Sequence, residues 1–189
     1  DSKHIFDLLW QEFTSGDRRR VFNTSLEKAG IEYNEELIKQ LVVIYREHAP
    51  QISLSDETRE ILDYFKDKYT LALLTDGFMP AQQLKVQALG IEEYFDCIVY
   101  TELLSKKNWK PSTAGFEKII KDLKVSAENC VYVGDNLKKD FIGPNKLGFS
   151  TVQLIRPNKI HFEASDNKYA KPDFVIKSIT ELPELINRL

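Results

Sequence analysis

The stretch with the clearest chemical content is Gly-Asp-Asn-Leu-Lys-Lys-Asp at residues 134–140, which follows an apolar run at 130–133. It places Asp135 and Asp140 five residues apart, just past the end of a predicted strand. Mg²⁺ in proteins prefers carboxylate and water oxygens, and two acids after a buried strand are costly to keep there without a use. The stretch therefore predicts a magnesium site with Asp135 and Asp140 as ligands.

Two further groups follow other predicted strands. Thr75, Asp76 and Gly77 come directly after one apolar run, and Lys110 lies in the loop after the next strand. Ligands of a doubly wound sheet collect at the carboxyl ends of its parallel strands, so we expect these groups to meet the two acids at one edge. A hydroxyl, backbone N–H groups and a lysine can hold phosphoryl oxygens while a metal ion offsets their charge. The pattern predicts a phosphate-binding site formed by these four residues.

Each group also has an ordinary structural interpretation when it is taken alone. A threonine after a strand is commonly a helix cap, and Asp-Gly is commonly a turn. Lys110-Pro111 is typical of a helix start with proline at the first position. The prediction of a site depends on the combination, with one group at each strand end.

The elements that must position these residues follow from hydrophobic periodicity. Up to about residue 50 the chain carries amphipathic helical stretches, and from residue 54 onward helices alternate with strands. The alternation predicts βαβ units and an α/β fold, a doubly wound parallel sheet with helices on both faces. We divide the chain into a helical piece, 1–53, and an α/β piece, 54–189. Strands are predicted at 70–75, 95–101, 130–135, 151–155 and 173–178.

Bulk composition narrows the function classes. The 189 residues are 42% hydrophobic, so the chain can bury a core, and a net charge of -3 gives no reason to expect nucleic acid or an anionic membrane surface as partner. No apolar run approaches the roughly 18 residues that span a bilayer. Cys97 and Cys130 lie in predicted strands, and we interpret them as reduced residues of a cytosolic protein. From composition we infer no oligomeric state.

At this point the chain resembles the haloacid dehalogenase superfamily of phosphohydrolases, in its phosphatase and pyrimidine-nucleotidase-like branches. The second, third and fourth motifs of that family are similar to residues 71–77, to the segment around Lys110 and to residues 131–140. The resemblance covers roughly residues 50–157. It implies that Thr75 binds phosphate, that Asp135 ligates the metal and that Asp140 supports it, and that residues 1–53 are a helical cap.

The first motif of the family is not matched. It is a strand ending in Asp-X-Asp-X-Thr, whose first aspartate becomes an aspartyl-phosphate and whose second acts as acid and base. The local mimic is Asp7, but Leu9 and Gln11 stand where the second aspartate and the threonine would be. We interpret this stretch as an ordinary helix. Because the chain also begins with Asp1 rather than Met, we expect a segment that carries the first motif to be missing.

The resemblance implies a Mg²⁺-dependent phosphatase acting on a small phosphorylated metabolite through an aspartyl-phosphate, with the 189-residue chain inactive by itself. The cap is expected to close over the site and choose the substrate, and residues 18–20, three arginines, are a candidate for this role or else a solvated helix start. Two other functions remain open: a non-catalytic phosphate-binding or regulatory module, and metal-free 2-haloacid dehalogenation, against which the acids at 135 and 140 argue.

The resemblance also implies a strand order in which the first-motif strand lies between the strands at 70–75 and 130–135. Without it, each neighbour has unpaired backbone groups, and a chain of this layout is expected to be unstable. We expect either a place for a strand between these two, filled by chain outside this numbering, or direct pairing of the two strands.

Overall fold

The N-terminal part of the chain forms three helices, as the periodicity predicts: α1 at Ser2–Ser15, α2 at Val21–Lys28 and α3 at Glu35–Glu47. The carboxamide of Asn34 accepts a hydrogen bond from the N–H of Leu37 (2.9 Å) and caps α3. These helices belong to a compact unit, Asp1–His48, and the remaining residues, Ala49–Leu189, form a second unit. The computed structural model describes residues 1–156 and 165–189.

The second unit alternates helices and strands in the predicted order, and the elements are joined by turns and short 3₁₀ segments. Its α-helices and β-strands are α4 Asp56–Lys66, β1 Ala72–Thr75, α5 Ala81–Leu89, β2 Cys97–Tyr100, α6 Ala114–Leu123, β3 Val131–Gly134, α7 Ile142–Leu147, β4 Ser150–Leu154, β5 Phe174–Ile176 and α8 Leu182–Ile186.

All the strands of this unit pair in parallel. β1 pairs with β2, with Leu73 opposite Ile98, and the other sheet has the order β3-β4-β5. Residues from the strands and from α4, α6 and α8 form two apolar clusters, which are centred on Val152 and on Phe116. Strands buried on both faces by helices are typical of parallel sheets. The fold is α/β, as predicted.

β1 and β3 are not paired with each other in the part of the chain that the structure describes, where they belong to separate sheets. Between them lies a cavity of about 670 Å³, lined by residues 72–74 of β1, residues 131–133 of β3 and apolar side chains of neighbouring helices. We call it the inter-sheet cavity. The alternative in which the two strands close up and pair directly is therefore wrong for this structure.

One predicted boundary is shifted. The helix expected to open at Pro111 begins at Ala114, because the N–H of Ser112 donates to the carbonyl of Trp109 (3.0 Å) and closes a turn first. Asp7 lies on an exposed face of α1, which confirms the interpretation of its surroundings as a helix.

Cys97 and Cys130 are free thiols, and burial raises the pKa of both. Among the described residues we find no helix with the length and apolar character needed to cross a bilayer.

Candidate functional site

Thr75 is the last residue of β1, and its side chain faces the start of α5. Its hydroxyl donates to Oε1 of Gln82 (3.0 Å) in the first turn of that helix. Gly77, between them, has a φ of 141°, a backbone conformation that residues with a Cβ rarely adopt. A Cβ there would also collide with the Gln82 side chain. The glycine thus allows the tight turn that sets the Thr75 hydroxyl beside the helix N-terminus.

Asp76 is predicted to contribute to phosphate binding through the backbone N–H groups that follow Thr75, and its carboxylate has partners within the protein. Its side chain is 4% exposed, and its Oδ1 accepts hydrogen bonds from the hydroxyl of Thr101 (2.8 Å) and the N–H of Lys110 (3.2 Å). Its Oδ2 lies 3.4 Å from Nζ of Lys139. Because a carboxylate repels a phosphoryl oxygen, a contribution of Asp76 to phosphate binding would come from its backbone N–H.

Lys110 and Asp140 form a buried ion pair. The distance from Lys110 Nζ to Asp140 Oδ1 is 2.9 Å, and the side chains are 10% and 4% exposed. Lys110 Nζ also donates to the hydroxyl of Tyr132 on β3 (3.0 Å). The structure thus brings together the lysine after β2 and the second acid of the 134–140 stretch.

The loop after β3 explains how Asp140 reaches this position. The N–H of Asp140 donates to the carbonyl of Asn136 (2.8 Å). Its Oδ2 accepts from the N–H groups of Asp135 (3.1 Å) and Asn136 (2.9 Å). A Cβ at Gly134 would lie 2.9 Å from both Cβ and Oδ2 of Asp140, so only glycine leaves room for this approach.

The charge states follow from burial and pairing. Burial by itself would raise the pKa of Asp140, but the Lys110 ammonium and the two backbone N–H groups bring it below 3.8, its ordinary value. Burial opposes the charged form of Lys110, yet Tyr132 and Asp140 together hold its pKa above the ordinary 10.5. Burial raises the pKa of Tyr132 to about 12. Near neutral pH the site therefore contains an ammonium, a carboxylate and a neutral phenol.

The residues present fit a magnesium ion held in part by the protein. Asp135 is exposed at the carboxyl end of β3, while Asp140 Oδ1 contacts Lys110 without forming an aligned hydrogen bond and keeps acceptor capacity. Mg²⁺ commonly takes one or two carboxylates and completes its shell with water and phosphate oxygens. Among the described residues no three His, Cys, Asp or Glu side chains group as a metal cage. Such a cage is not what Mg²⁺ requires.

The three arginines at 18–20 have partners within the first unit. Their contacts are Arg18 with the ring and carbonyl of Phe13, Arg19 with Asp17, and Arg20 with Glu27. Local pairing of this kind agrees with a solvated helix start. Two residues of the site were missed by sequence reasoning, although Thr101 ends the strand predicted at 95–101 and Lys139 lies within the 134–140 stretch.

Comparison with known proteins decides the family. Residues 3–154 match the sequence profile of haloacid dehalogenase-like hydrolases. The chain belongs to this family. Its parallel strands surrounded by helices agree with the fold of this family.

Two curated relatives and one solved structure illustrate the similarity. A glyceraldehyde 3-phosphate phosphatase of Pyrococcus furiosus is 27% identical over 172 residues, covering 89% of this chain and 68% of that protein. An N-acylneuraminate-9-phosphatase of Mus musculus is 27% identical over 158 residues, covering 82% of this chain and 61% of its own length. The chain thus spans about two thirds of the length of these relatives.

The solved structure is that of the HAD-hydrolase YfnB from Bacillus subtilis bound to magnesium. It superposes with a TM-score of 0.66 at 24% identity, covering 98% of this chain and 80% of that one. At this identity the likeness supports the fold alone.

Proposed function

We propose that the complete polypeptide is a Mg²⁺-dependent phosphatase that acts on a small phosphorylated metabolite. The observation that carries the proposal is the buried Lys110–Asp140 pair, whose carboxylate also accepts a hydrogen bond from the N–H of the exposed Asp135. Membership of the family supports it, as do relatives that are phosphatases of small phosphorylated compounds.

The site residues have separate tasks in this proposal. The Thr75 hydroxyl and the N–H groups of Asp76 and Gly77 hold the phosphoryl oxygens, and Lys110 offsets their charge. Asp135, with support from Asp140, would hold Mg²⁺, which when bound supplies further neutralisation of phosphoryl charge. None of these residues is a nucleophile.

The nucleophile is assigned to a strand that fills the inter-sheet cavity. We propose that this strand lies in a segment preceding residue 1 and ends in the first motif. Its first aspartate would accept the phosphoryl group as the P–O bond to the substrate breaks, its second would protonate the departing alcohol oxygen, and water would then hydrolyse the aspartyl-phosphate to release phosphate. The cavity lies between two parallel strands that do not pair with each other, and its lining is largely apolar. An apolar strand is the element that such a place fits. In the same proposal residues 1–53 are the cap and residues 54–189 the core.

The test uses the polypeptide from the intact reading frame, with p-nitrophenyl phosphate as substrate in Mg²⁺ buffer and in EDTA. Asp135→Asn is expected to lower Mg²⁺-dependent kcat/KM by orders of magnitude, because the metal loses the exposed one of its two predicted carboxylates. Asp67→Asn, which removes an exposed acid at the end of α4, is the matched control and should behave as wild type. Activity retained in Asp135→Asn would remove the metal role. Absence of turnover in wild type, with phosphate still bound, would favour the binding module instead.

A further inference from the structure

The Asp76 carboxylate contacts donor groups in the loops that follow two other strands. Thr101 and Lys110 lie after β2, and Lys139 lies after β3. The Thr101 hydroxyl also approaches the carbonyl oxygen of Thr75 (3.2 Å). One buried carboxylate therefore fixes the backbone at Lys110 and, through Thr101, the end of β1.

Lys139 supplies the positive charge that a buried carboxylate requires. Its side chain is 37% exposed, in contrast to the 4% of Asp76, so the ammonium lies at the rim of the site. Sixty-three residues separate the two partners. The contact joins loops that belong to different sheets, since β1 pairs with β2 and β3 pairs with β4.

The Lys110–Asp140 pair also joins the two sheets, but with its acid and its base on the opposite sides. In one pair the acid lies on the β1–β2 side and the base on the β3 side, and in the other pair the positions are exchanged. We refer to Asp76–Lys139 and Lys110–Asp140 as the crossed ion pairs. They link the two sheets at the carboxyl ends of strands that share no backbone pairing across the inter-sheet cavity.

We propose that Asp76 and Lys139 are positioning residues, which act through Thr101 and the Lys110 backbone to keep Thr75 and Lys110 at the spacing of one phosphoryl group. This inference rests on the proposed phosphatase function. Small displacements of groups that hold a reacting phosphate are costly, with losses of about 100-fold for about 1 Å. Without Lys139, the Asp76 carboxylate loses a compensating charge and turns toward water. This movement weakens its charge-assisted hydrogen bond to the Lys110 N–H.

The first test follows the Lys110 amide by hydrogen exchange in the polypeptide from the intact reading frame. Lys139→Met should speed exchange of this amide about fivefold, the effect of losing one partly exposed ion pair. It should weaken binding of inorganic phosphate by a similar factor. Lys139→Arg should restore both values. Lys107→Met, which removes a lysine from an exposed position in the loop after β2, is the matched control and should change neither.

A double-mutant cycle separates positioning from general destabilisation. Asp76→Asn keeps an oxygen acceptor for Thr101 and for the Lys110 N–H but removes the charge, so it tests the ion pair with little change in shape. If the two residues act as a unit, the double variant Asp76→Asn/Lys139→Met should exchange its Lys110 amide no faster than the single variant with the faster exchange. Additive effects, or failure of Lys139→Arg to restore the amide, would overturn the proposal.

The enzymatic readout distinguishes this proposal from the function on which it rests. With p-nitrophenyl phosphate, Lys139→Met is expected to lower kcat by about 10- to 100-fold with a smaller change in KM, and Lys139→Arg to recover most of it. A wild-type protein without turnover would overturn the phosphatase function, while the amide measurements would still decide the role of Asp76 and Lys139. Unchanged kcat in Lys139→Met, with an active wild type, would overturn the positioning role.

Discussion

The chemistry of the site depends on charges that the protein has buried in pairs. A carboxylate that is 4% exposed is tolerated at Asp140 because Lys110 and two backbone N–H groups compensate it. Removal of one partner leaves the other buried and uncompensated, which costs more than the intact pair contributes. The pair is therefore a sensitive place to measure electrostatics in this protein.

Asp140→Asn should destabilise the protein at pH 7 by about 3–5 kcal/mol, since Lys110 loses its carboxylate. The folded pKa of Asp140 lies below the ordinary 3.8. Its contribution is therefore fully present above that value and is lost as pH falls through the folded pKa. The difference between wild type and variant in urea denaturation should thus narrow below about pH 4.

Asp122→Asn is the control for this experiment, because Asp122 is paired with Lys118 on the surface, with side chains 40% and 44% exposed. Asp122→Asn should lower the free energy of unfolding by less than about 0.5 kcal/mol. Equal losses in the two variants, or a difference that widens in acid, would contradict the assignment of a buried pair.

At the scale of elements, the loop between β3 and α7 positions both acids of the site at the end of β3. It leaves Asp135 exposed and returns Asp140 to the strand end by a turn at Asn136. The close approach of Asp140 to Gly134 is the tightest requirement of this loop. The glycine, and not only the two acids, is necessary for the geometry.

Gly134→Ala should therefore destabilise the protein by about 1–3 kcal/mol through overpacking, and it should lower phosphate affinity because Asp140 and Lys110 must shift. Gly90→Ala is a matched control at the end of α5, where a Cβ meets no atom within 4 Å and only the φ of 62° is unfavourable. Its cost should be about 1 kcal/mol, with phosphate affinity unchanged in isothermal titration. Loss of affinity in both glycine variants would show that the loop geometry is not the cause.

At the scale of the molecule, the described residues of the α/β unit form two separate parallel sheets, β1-β2 and β3-β4-β5. Parallel strands lie about 4.8 Å apart, so a strand between β1 and β3 would separate them by roughly twice that. Backbone groups that face the inter-sheet cavity lack a strand partner, at a cost of about 1–3 kcal/mol for each one that is buried. The chain by itself is therefore expected to be weakly stable around the cavity.

The 189 residues alone should not hydrolyse p-nitrophenyl phosphate above background in Mg²⁺ buffer, because no aspartyl nucleophile has been assigned in them. In the same preparation, amides of β1 and β3 that face the cavity should exchange faster than those of β4, which is paired on both sides. In the polypeptide from the intact reading frame, the cavity-facing amides of β1 and β3 and the amides of β4 should all be protected from exchange. Turnover that disappears with Asp7→Asn would contradict the assignment of that stretch to an ordinary helix.

The order of the elements and the candidate site residues could both be predicted from local features of the sequence, and the structure confirms the order. Helical and strand periodicities are repeated within a few residues, and Thr75, Lys110, Asp135 and Asp140 each follow a strand whose end is visible in the pattern. The start of α6 was misplaced, because the Trp109–Ser112 turn competes with the helix start that Pro111 suggests.

The directions in which the side chains of the site point depend on tertiary contacts that no local pattern contains. The Asp76 carboxylate lies against Thr101 and Lys139, and Lys139 is 63 residues away along the chain. No periodicity encodes such a pair, because its partners are brought together only when two strands of different sheets end at the same edge. The inter-sheet cavity has the same origin: each strand is a local property of the chain, whereas the pairing of β1 and β3 with other strands depends on every element packed around them.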